Sequence, residues 1–484
     1  MNINLEGDAS IEPFKADEKG RITLGKEYAN NRVRVAVLER IGENSSVIPD
    51  EFPRFDYRSV GVAPTASVAT RRAALAENGS PGDPYWVGTT AADDVEVGIT
   101  SEEYKRHILI TGTADSDRQA AIRAQYQQAL NHGRGVLVYD AYSHNDTEGG
   151  ASPYRTIARE VGREDDVIEI NVDDPGSASF NVTELRQETL ANPESHQAAE
   201  EIEATVDLLE HLAYPTNIGR EGYWGPKMAR AVRNIIQSAA KEGVSPTILD
   251  ICDVLASSRS NRPDDETLSE DRREWLTEAR TMIGENTEQA EREPAVRRLE
   301  SWINASAVRR AIADPDPSFS VERAVREGKI VLITGESQMG LERTQVAVAA
   351  SLRAWSAQQE AQDRREGEAA PFTLFAAGYH KLANTHLKLV TLLSLSRAYE
   401  FAIVGSAPGI QSFDNSDVIG DHAATHLTFA VSEREARKAV QYHTQNVTQQ
   451  SLQRLSSNVA YLRHPSQKVE SIKINTLLPT VGTP

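Results

Sequence analysis

Residues 106–123 combine an apolar strand, a short loop and the start of a helix, in the spacing of a phosphate-binding loop. In a working loop of pattern G-x-x-x-x-G-K-[ST], the glycines let backbone N–H groups close on the phosphates. The lysine reaches the terminal phosphates and the hydroxyl holds Mg²⁺. Gly112 supplies the first glycine, but Asp117, Arg118 and Gln119 stand where the second glycine, the lysine and the hydroxyl belong. The degenerate phosphate loop predicted here comprises Gly112, Thr113, Arg118 and Gln119.

The side chains of this loop also oppose nucleotide binding. Asp115 and Asp117 would face a triphosphate, each costing roughly 1–4 kcal/mol at about 4 Å with surface-like screening. Gln119 offers no hydroxyl to a metal ion. Arg118 has two interpretations: its guanidinium holds a phosphate or another anion, or it forms a structural ion pair with Asp115 or Asp117. We therefore predict no bound cofactor, with ATP and Mg²⁺ as the alternative.

From about residue 100, strand-like and helix-like segments alternate, which is typical of a parallel sheet with right-handed crossovers. The predicted strands are Ile108–Thr111, Gly135–Tyr139, Val167–Ile170, Ile330–Thr334, Phe372–Ala376, Phe401–Val404 and His426–Ala430. Nearly every segment between about 183 and 325 has helical periodicity. The predicted helices there are Ala198–Leu212, Pro226–Ala240, Pro246–Leu255, Glu270–Ile283 and Ala295–Ala311. The fold class is therefore α/β, with an all-helical domain inserted in the sheet domain.

These patterns divide the chain into four parts. Residues 1–45 are predicted to be a small β unit. Residues 46–100, rich in Pro, Gly, Ser and Asp, are predicted to be linker and irregular structure, with Tyr85–Gly88 as a docking strand or contact. The sheet domain is predicted at 101–182 and 326–484, and the inserted helical domain at 183–325.

The N-terminal unit carries a resemblance of its own. The run Asp17–Leu24 resembles the core of the SpoVT/AbrB swapped-hairpin barrels, which are dimeric and often bind DNA. Gly25 stands where that family usually has proline, and the second half of the pattern is truncated. The alternative is a β cap on the larger domain.

Composition limits the classes of partner and compartment. The chain has 71 acidic and 52 basic residues, a net charge of -19, and only 12 lysines among the basic residues. This acidic, lysine-poor composition suits a cytoplasm with molar salt, where screening makes self-repulsion tolerable. A halophilic, archaeal source is predicted, with an ordinary acidic cytosolic protein as the alternative. The charge argues against non-specific nucleic-acid binding at low salt but leaves a local arginine-lined channel open.

Cysteine usage and hydropathy point to the same compartment. Cys252 is the only cysteine, so an intrachain disulfide and a thiolate metal site are excluded. The chain opens with no signal-peptide pattern and contains no 18-residue apolar run. A cytoplasmic protein without a membrane span is predicted.

From about 100 to 480, the order of motifs resembles the hexameric DNA-translocase ATPases, namely the HerA/FtsK group and especially the conjugative coupling proteins of type IV secretion. The loop at 108–130 stands where the family has its P-loop. The phrases that carry the rest of the resemblance are Gly133–Asp140, Ser179–Asn181, Tyr223–Asn234, Pro246–Ile251, Glu327–Ile333 and Ala460–Arg463. The resemblance implies a RecA-like P-loop NTPase sheet.

At the positions that are catalytic in that family, this sequence has residues whose side chains cannot perform the reaction. The strand Phe372–Ala376 resembles the one that ends in Asp-Glu, where the aspartate serves Mg²⁺ and the glutamate polarises the attacking water. Ala377 and Gly378 occupy those positions, Ala407 occupies that of the polar sensor, and Ala430 that of the finger arginine. Glu336 is the nearest rival for a lone water-activating carboxylate. We therefore predict no catalytic residues.

Other side chains that could do chemistry have plainer interpretations. His380 and His386 are predicted to be surface or packing residues, and no metal site is predicted. Asp140, His144 and Asp146 would bind a cation or form a solvated acidic loop. Three arginine pairs would contact nucleic-acid phosphates or form ion-paired faces. These pairs are Arg71-Arg72, Arg297-Arg298 and Arg309-Arg310.

The leading functional hypothesis is a pseudo-ATPase, a catalytically inactive homologue of the translocases that serves as a structural or regulatory partner in DNA handling. Its predicted partners are an intact ATPase homologue or further copies of the chain in a ring or dimer, and DNA. The alternatives are an active translocase or helicase-like ATPase with divergent motifs, and a DNA-binding regulator acting through residues 1–45.

Overall fold

The computed structural model describes residues 2–4, 36–38 and 84–476. Within the last range it omits residues 93, 115, 143–151, 214–223, 257–267, 287, 336–339, 364–369, 386 and 464–469. The chain divides into two compact units, Met1–Phe52 and Pro53–Pro484. In the first unit, strands β1 (Asn2–Asn4) and β2 (Ala36–Leu38) pair antiparallel. The predicted SpoVT/AbrB-like run lies outside the described residues.

The second unit is built on a single large sheet with helices between its strands. Its strands are β3 (Tyr85–Thr90), β4 (Glu96–Ile99), β5 (Ile108–Thr111), β6 (Gly135–Asp140), β7 (Val167–Asn171), β8 (Ile330–Thr334), β9 (Phe372–Ala377), β10 (Phe401–Ala407), β11 (Thr425–Thr428), β12 (Val459–Arg463) and β13 (Ile472–Thr476). The helices before the insertion are α1 (Ser101–Tyr104), α2 (Arg118–Asn131) and α3 (Pro153–Glu160). Those after it are α12 (Leu341–Asp363), α13 (Tyr379–Thr385), α14 (Leu387–Leu395), α15 (Ser416–His422), α16 (Glu433–Ala439) and α17 (Gln449–Gln453).

The strand order is β4-β3-β13-β12-β11-β5-β10-β9-β6-β8-β7. The stretch from β11 to β7 is parallel, and the pairings from β11 out to β4 are antiparallel. The central strands are apolar runs buried on both faces, as in β6, β9 and β10, because helices cover both sides of a parallel sheet. This architecture confirms the predicted α/β class.

A run of helices separates β7 from β8. It comprises α4 (Gln187–Ala191), α5 (His196–Leu212), α6 (Pro226–Lys241), α7 (Ile248–Ala256), α8 (Glu270–Asn286), α9 (Gln289–Ile303), α10 (Ser306–Ile312) and α11 (Val321–Arg326). A buried ion network fastens this insertion to the sheet domain: Arg186, before α4, pairs with Glu322 at 2.8 Å and with Glu360 of α12 at 2.9 Å. Across the described residues, no helix combines the length and apolar character needed to span a bilayer.

Two sequence predictions need correction here. The single helix expected at Ala295–Ala311 is two helices, because Ala305 adopts an extended conformation and caps α10. The end of the segment expected to be linker and irregular structure, 46–100, contains β4 as well as β3, which covers the strand offered at Tyr85–Gly88. Strand β3 is buried at every position, so it lacks the alternation that marks a half-exposed strand. The ring of Tyr85 packs between Tyr104 and His132, with centroid distances of 3.9 and 4.0 Å.

Candidate functional site

The carboxyl ends of the parallel strands bring the predicted positions together at one edge of the sheet. Thr111, the last residue of β5, lies level with Ala407 of β10 and Thr428 of β11. Ala377, at the end of β9, lies level with Ser406 and Asp140. Ligands of open α/β sheets bind at this edge. The degenerate loop and the positions of the missing catalytic side chains therefore belong to one site, which we call the β5 centre.

Backbone N–H groups of the degenerate loop are bonded to the protein itself. Gly112 donates to the Ala407 carbonyl at 3.3 Å, and Thr113 donates to the Ala430 carbonyl at 2.9 Å. Asp117 donates to the Ser457 carbonyl at 2.9 Å. A phosphate loop works by presenting such groups to oxygen atoms of the nucleotide. In this centre the predicted sensor and finger positions supply main-chain acceptors to the loop.

Tight packing holds the loop closed. A Cβ atom placed on Gly112 would lie 2.6 Å from Ser116 Oγ and 2.7 Å from Phe429 Cβ. Ser116 is buried, and its hydroxyl donates to the Thr113 carbonyl at 2.7 Å. The loop thus has internal partners on both of its sides.

Arg118, at the position of the phosphate-binding lysine, turns back onto the loop. Its Nη1 donates to the Gly112 carbonyl at 2.9 Å, and its guanidinium lies 5.7 Å from the centre of the Tyr142 ring. The side chain is 5% exposed, and its burial lowers the pKa of the guanidinium. The predicted ion pair with Asp117 is not formed among the described residues, and Asp115 lies outside them. Gln119 is half-buried, and its Oε1 accepts no hydrogen bond from the described part of the chain.

A second cation at this centre, Lys381, was not predicted from the sequence. Lys381 Nζ lies 5.0 Å from the centre of the same Tyr142 ring. The neighbouring His380 packs edge-on against Phe413, which agrees with its prediction as a packing residue. Burial, followed by the charges of Lys381 and Arg118, lowers the pKa of His380 to about 4. Tyr142, two residues past β6, and Lys381, on the helix after β9, carry no sequence signal of their own, because only the sheet register brings them together.

The position of the missing catalytic carboxylates is closed to larger side chains. Ala377 is completely buried. Gly378 has a φ of 90°, and a Cβ there would lie 2.6 Å from Ala141 Cβ. Its N–H donates to the Ser406 carbonyl at 3.1 Å. A glutamate at Gly378 would need both an unfavourable backbone conformation and space that Ala141 occupies.

The remaining predicted candidates separate. Asp140 is buried at the end of β6, where its Oδ1 accepts the N–H of Tyr142 at 2.8 Å. His144, Asp146, His386, Glu336 and the pair Arg71-Arg72 lie outside the described residues. Within the described residues, His, Cys, Asp and Glu side chains form no group of three that could hold a metal ion. Arg297 pairs with Glu293 at 2.5 Å on an exposed helix face, as expected of an ion-paired face.

Comparison with solved structures identifies the same fold in proteins of low sequence identity. The plasmid coupling protein TrwB, solved in complex with the non-hydrolysable ATP analogue ADPNP, superposes with a TM-score of 0.53 at 13% identity. The match covers 85% of this chain and 92% of that one. TrwB with the GTP analogue GDPNP gives a TM-score of 0.51 at 14% identity, with the same coverage. VirB4 of Thermoanaerobacter pseudethanolicus gives 0.47 at 13% identity, over 82% and 97% of the chains.

At these identities the comparison establishes the fold, a RecA-like sheet with its insertion, and leaves chemistry to the residues of this chain. No protein-family model matches the sequence, and no curated protein does.

Proposed function

We propose that this chain is a pseudo-ATPase: a catalytically inactive homologue of the hexameric DNA translocases that acts as a structural or regulatory partner in DNA handling or transfer. The observation that carries the proposal is the β5 centre. Its loop N–H groups donate hydrogen bonds to the carbonyls of Ala407, Ala430 and Ser457. The positions of the family's carboxylates are occupied by a buried alanine and by a glycine with no room for a side chain.

Energetic arithmetic supports the loss of catalysis. Phosphoryl transfer depends on positioning and electrostatic stabilisation by the loop lysine, Mg²⁺, its carboxylate and the finger arginine. Removing one transition-state contact of this kind costs on the order of 3–4 kcal/mol. Several such contacts are missing together here, which leaves no useful rate.

The proposed partners follow from the fold rather than from the centre. TrwB is a plasmid coupling protein, and a chain that shares its fold can assemble with an intact ATPase homologue, or with further copies of itself, in a ring or dimer. DNA is the proposed substrate of that assembly. The net charge of -19 means that DNA contact by this chain itself would be local.

The second candidate is an ATPase that works with divergent residues, and one observation favours it. Neither Arg118 nor Lys381 forms an ion pair with a carboxylate of the described residues, so two cations remain beside the loop. Both charges would suit the phosphates of a nucleotide.

Turnover and binding separate the two candidates. The purified chain is assayed in molar KCl with ATP and Mg²⁺ for phosphate release, and with a fluorescent ATP analogue for binding. The variants are Arg118→Met and, as a matched control, Arg437→Gln, an exposed arginine paired with Glu433 at 2.8 Å. We expect background phosphate release and no saturable binding in all three proteins. Turnover that Arg118→Met abolishes and Arg437→Gln leaves intact would establish the active ATPase instead.

A further inference from the structure

We propose that a cavity at the carboxyl end of β7 is a binding site for a small molecule that carries an oxyanion, a carboxylate or phosphate, on an apolar body. The cavity has a volume of about 310 Å³, which falls within the range of small-molecule sites. Strands β10, β9, β6 and β8 separate β7 from β5. At about 4.8 Å per strand, the end of β7 lies roughly 24 Å along the sheet from β5 and roughly 14 Å from β9, the nearer side of the β5 centre. The two sites are therefore distinct.

The cavity lies where the helical insertion meets the sheet. One wall is the chain that leaves β7, from Asn171 to Ser179, and the other walls come from the starts of α7 and α8 and from α10. Main-chain hydrogen bonds fix the two sides to each other: Phe180 donates to the Ala311 carbonyl and Val182 to the Ile312 carbonyl, both at 2.9 Å. The walls are therefore preorganised, as a ligand site requires.

Most charged groups in these walls are already engaged. Arg272 pairs with Asp250 at 2.5 Å and donates to the Ser245 carbonyl at 2.7 Å. Asp314 accepts from Ser179 Oγ at 2.5 Å, and Asp174 accepts the N–H of Gly176 at 2.9 Å. Asp250 thus has an arginine partner and Asp314 a hydroxyl donor, whereas Asp174 is exposed and accepts a hydrogen bond from its own turn. Among the described residues these carboxylates form no group of three that could hold a cation.

Arg309 differs from these groups. It lines the cavity on α10, is half-buried, and its guanidinium makes no hydrogen bond or ion pair with any described residue. Its neighbour Arg310 uses one arm to donate to the Val172 carbonyl at 3.2 Å. Within the described residues neither arginine of this pair forms an ion pair, so the expected ion-paired helix face is not seen there, and Arg310 is exposed. A guanidinium held at the wall of a cavity fits a carboxylate or phosphate in two-point geometry.

The rest of the wall specifies an apolar body. Val172, Leu249, Leu268 and Ala307 line the space beside Arg309. Their apolar surface would stay in contact with water around a bare inorganic anion, and contact with a hydrocarbon ring removes it from water. The walls carry equal numbers of arginine and aspartate side chains, three of each. A wall with balanced charge suits a compact molecule better than a nucleic-acid backbone, whose affinity depends on accumulated positive charge.

Calorimetric titration of the full chain with four probes tests the proposal. Phenyl phosphate and benzoate carry both parts of the expected ligand, inorganic phosphate carries only the oxyanion, and benzyl alcohol carries only the apolar body. We expect saturable one-site binding of phenyl phosphate or benzoate, and the stronger of the two identifies the preferred oxyanion. The two single-part probes should bind at least about ten-fold more weakly.

Variants locate the binding. Arg309→Gln should weaken the stronger probe about ten-fold or more, and Ala307→Leu, which fills the cavity from α10 without changing charge, should abolish binding while the protein stays folded. Arg118→Met should leave binding unchanged, which keeps this test separate from that of the β5 centre. The proposal is overturned if no probe saturates, if Arg309→Gln and Ala307→Leu bind like the parent chain, or if inorganic phosphate binds as tightly as phenyl phosphate.

Discussion

The carboxyl ends of the parallel strands differ between the β5 centre and β7. At the β5 centre the strand ends are tied to each other by main-chain hydrogen bonds, and the side chains there are alanine, glycine and an arginine turned inward. At β7 the strand end opens into a cavity, and Arg309 in its wall pairs with no carboxylate of the described residues. Protein carbonyls accept the loop N–H groups at the β5 centre, whereas the end of β7 borders open space.

Titratable groups differ between the two ends as well. On the β11 side, burial lowers the pKa of His426 to about 4 and that of His443 to about 3. Where the insertion meets the sheet domain, burial raises the pKa of Glu184 and of Glu201. Protonation of the histidines thus opposes folding, whereas protonation of the carboxyls favours it.

The largest expected effect comes from putting a carboxylate back at Gly378. We expect Gly378→Glu to lower the free energy of unfolding by about 2–6 kcal/mol, since it adds backbone strain of about 1–3 kcal/mol to overpacking against Ala141 of about 1–3 kcal/mol. Denaturant unfolding followed by circular dichroism measures the loss. A stable Gly378→Glu protein that gains ATP turnover would break the comparison outright.

Gly133 provides the matched control for strain without contact. Its φ is 69°, and no atom lies within 4 Å of a Cβ placed on it. Gly133→Ala should cost only about 1 kcal/mol, the price of the left-handed conformation alone. If Gly378→Ala costs no more than Gly133→Ala, the packing at Ala141 is looser than the structure indicates.

The next largest effect is on the pH dependence of stability. His426 is buried on β11, and its Nε2–H donates to the carbonyls of Ala423 at 2.8 Å and Gly420 at 3.0 Å. Burial, helped by the charge of Arg463, lowers its pKa from 6.5 to about 4. Between these values the unfolded chain binds a proton that the folded chain does not. The contribution of His426 to stability should therefore be full above pH 6.5 and fall by up to about 3 kcal/mol as the pH drops to 4.

Two variants test which groups are responsible. His426→Gln keeps a donor for the carbonyls and removes the titration, so the stability loss between pH 6.5 and 4 should become smaller. Glu201→Gln tests a carboxyl group where the insertion meets the sheet domain. Because the folded-state pKa of Glu201 is raised, its contribution to stability is present below its ordinary pKa of 4.5 and is lost as the pH rises above that value. That variant should flatten the curve above pH 4.5. An unchanged acid slope in His426→Gln would assign the loss to other groups.

The strands and the absence of catalytic side chains could be predicted from the sequence because both are local features. Ile330–Thr334 and Gly135–Tyr139 are apolar runs with no competing pattern, and an absent carboxylate is visible as Ala377 without any structure. Helical periodicity between about 183 and 325 predicted the helical insertion. These features need only short-range patterns and collinearity.

The rest depends on contacts between distant parts of the chain. The acceptor of Asp117 N–H is the carbonyl of Ser457, 340 residues later, and main-chain acceptors have no residue-type signature. The β7 cavity joins the chain after β7 to the starts of α7 and α8 and to α10, so no single segment encodes it. For the same reason the pair Arg309-Arg310 looked like the other arginine pairs in the sequence.

Replacing Arg118 is expected to change the free energy of unfolding by an intermediate amount. Arg118→Gln removes a charged donor from the buried Gly112 carbonyl, a loss of about 1.5–3 kcal/mol. Part of that is returned because the guanidinium, which has no carboxylate partner among the described residues, no longer has to be buried. We expect a net destabilisation of about 1 kcal/mol in denaturant unfolding. A gain in stability would mean that desolvation outweighs the hydrogen bond, and that the cation is retained for a ligand at the β5 centre.

Arg309 provides the smallest expected change in stability and the most direct contrast with Arg118. Its guanidinium has no partner among the described residues, so Arg309→Gln should change the free energy of unfolding by less than about 0.5 kcal/mol, as at other positions without special contacts. The same unfolding experiment, run beside Arg118→Gln, measures the difference. A loss from Arg309→Gln as large as that from Arg118→Gln would mean that Arg309 supports the fold of α10, and the division into a closed end and an open end would then fail. A negligible loss means that Arg309 is held at the cavity wall for something other than folding, because its own contacts give the fold nothing to lose.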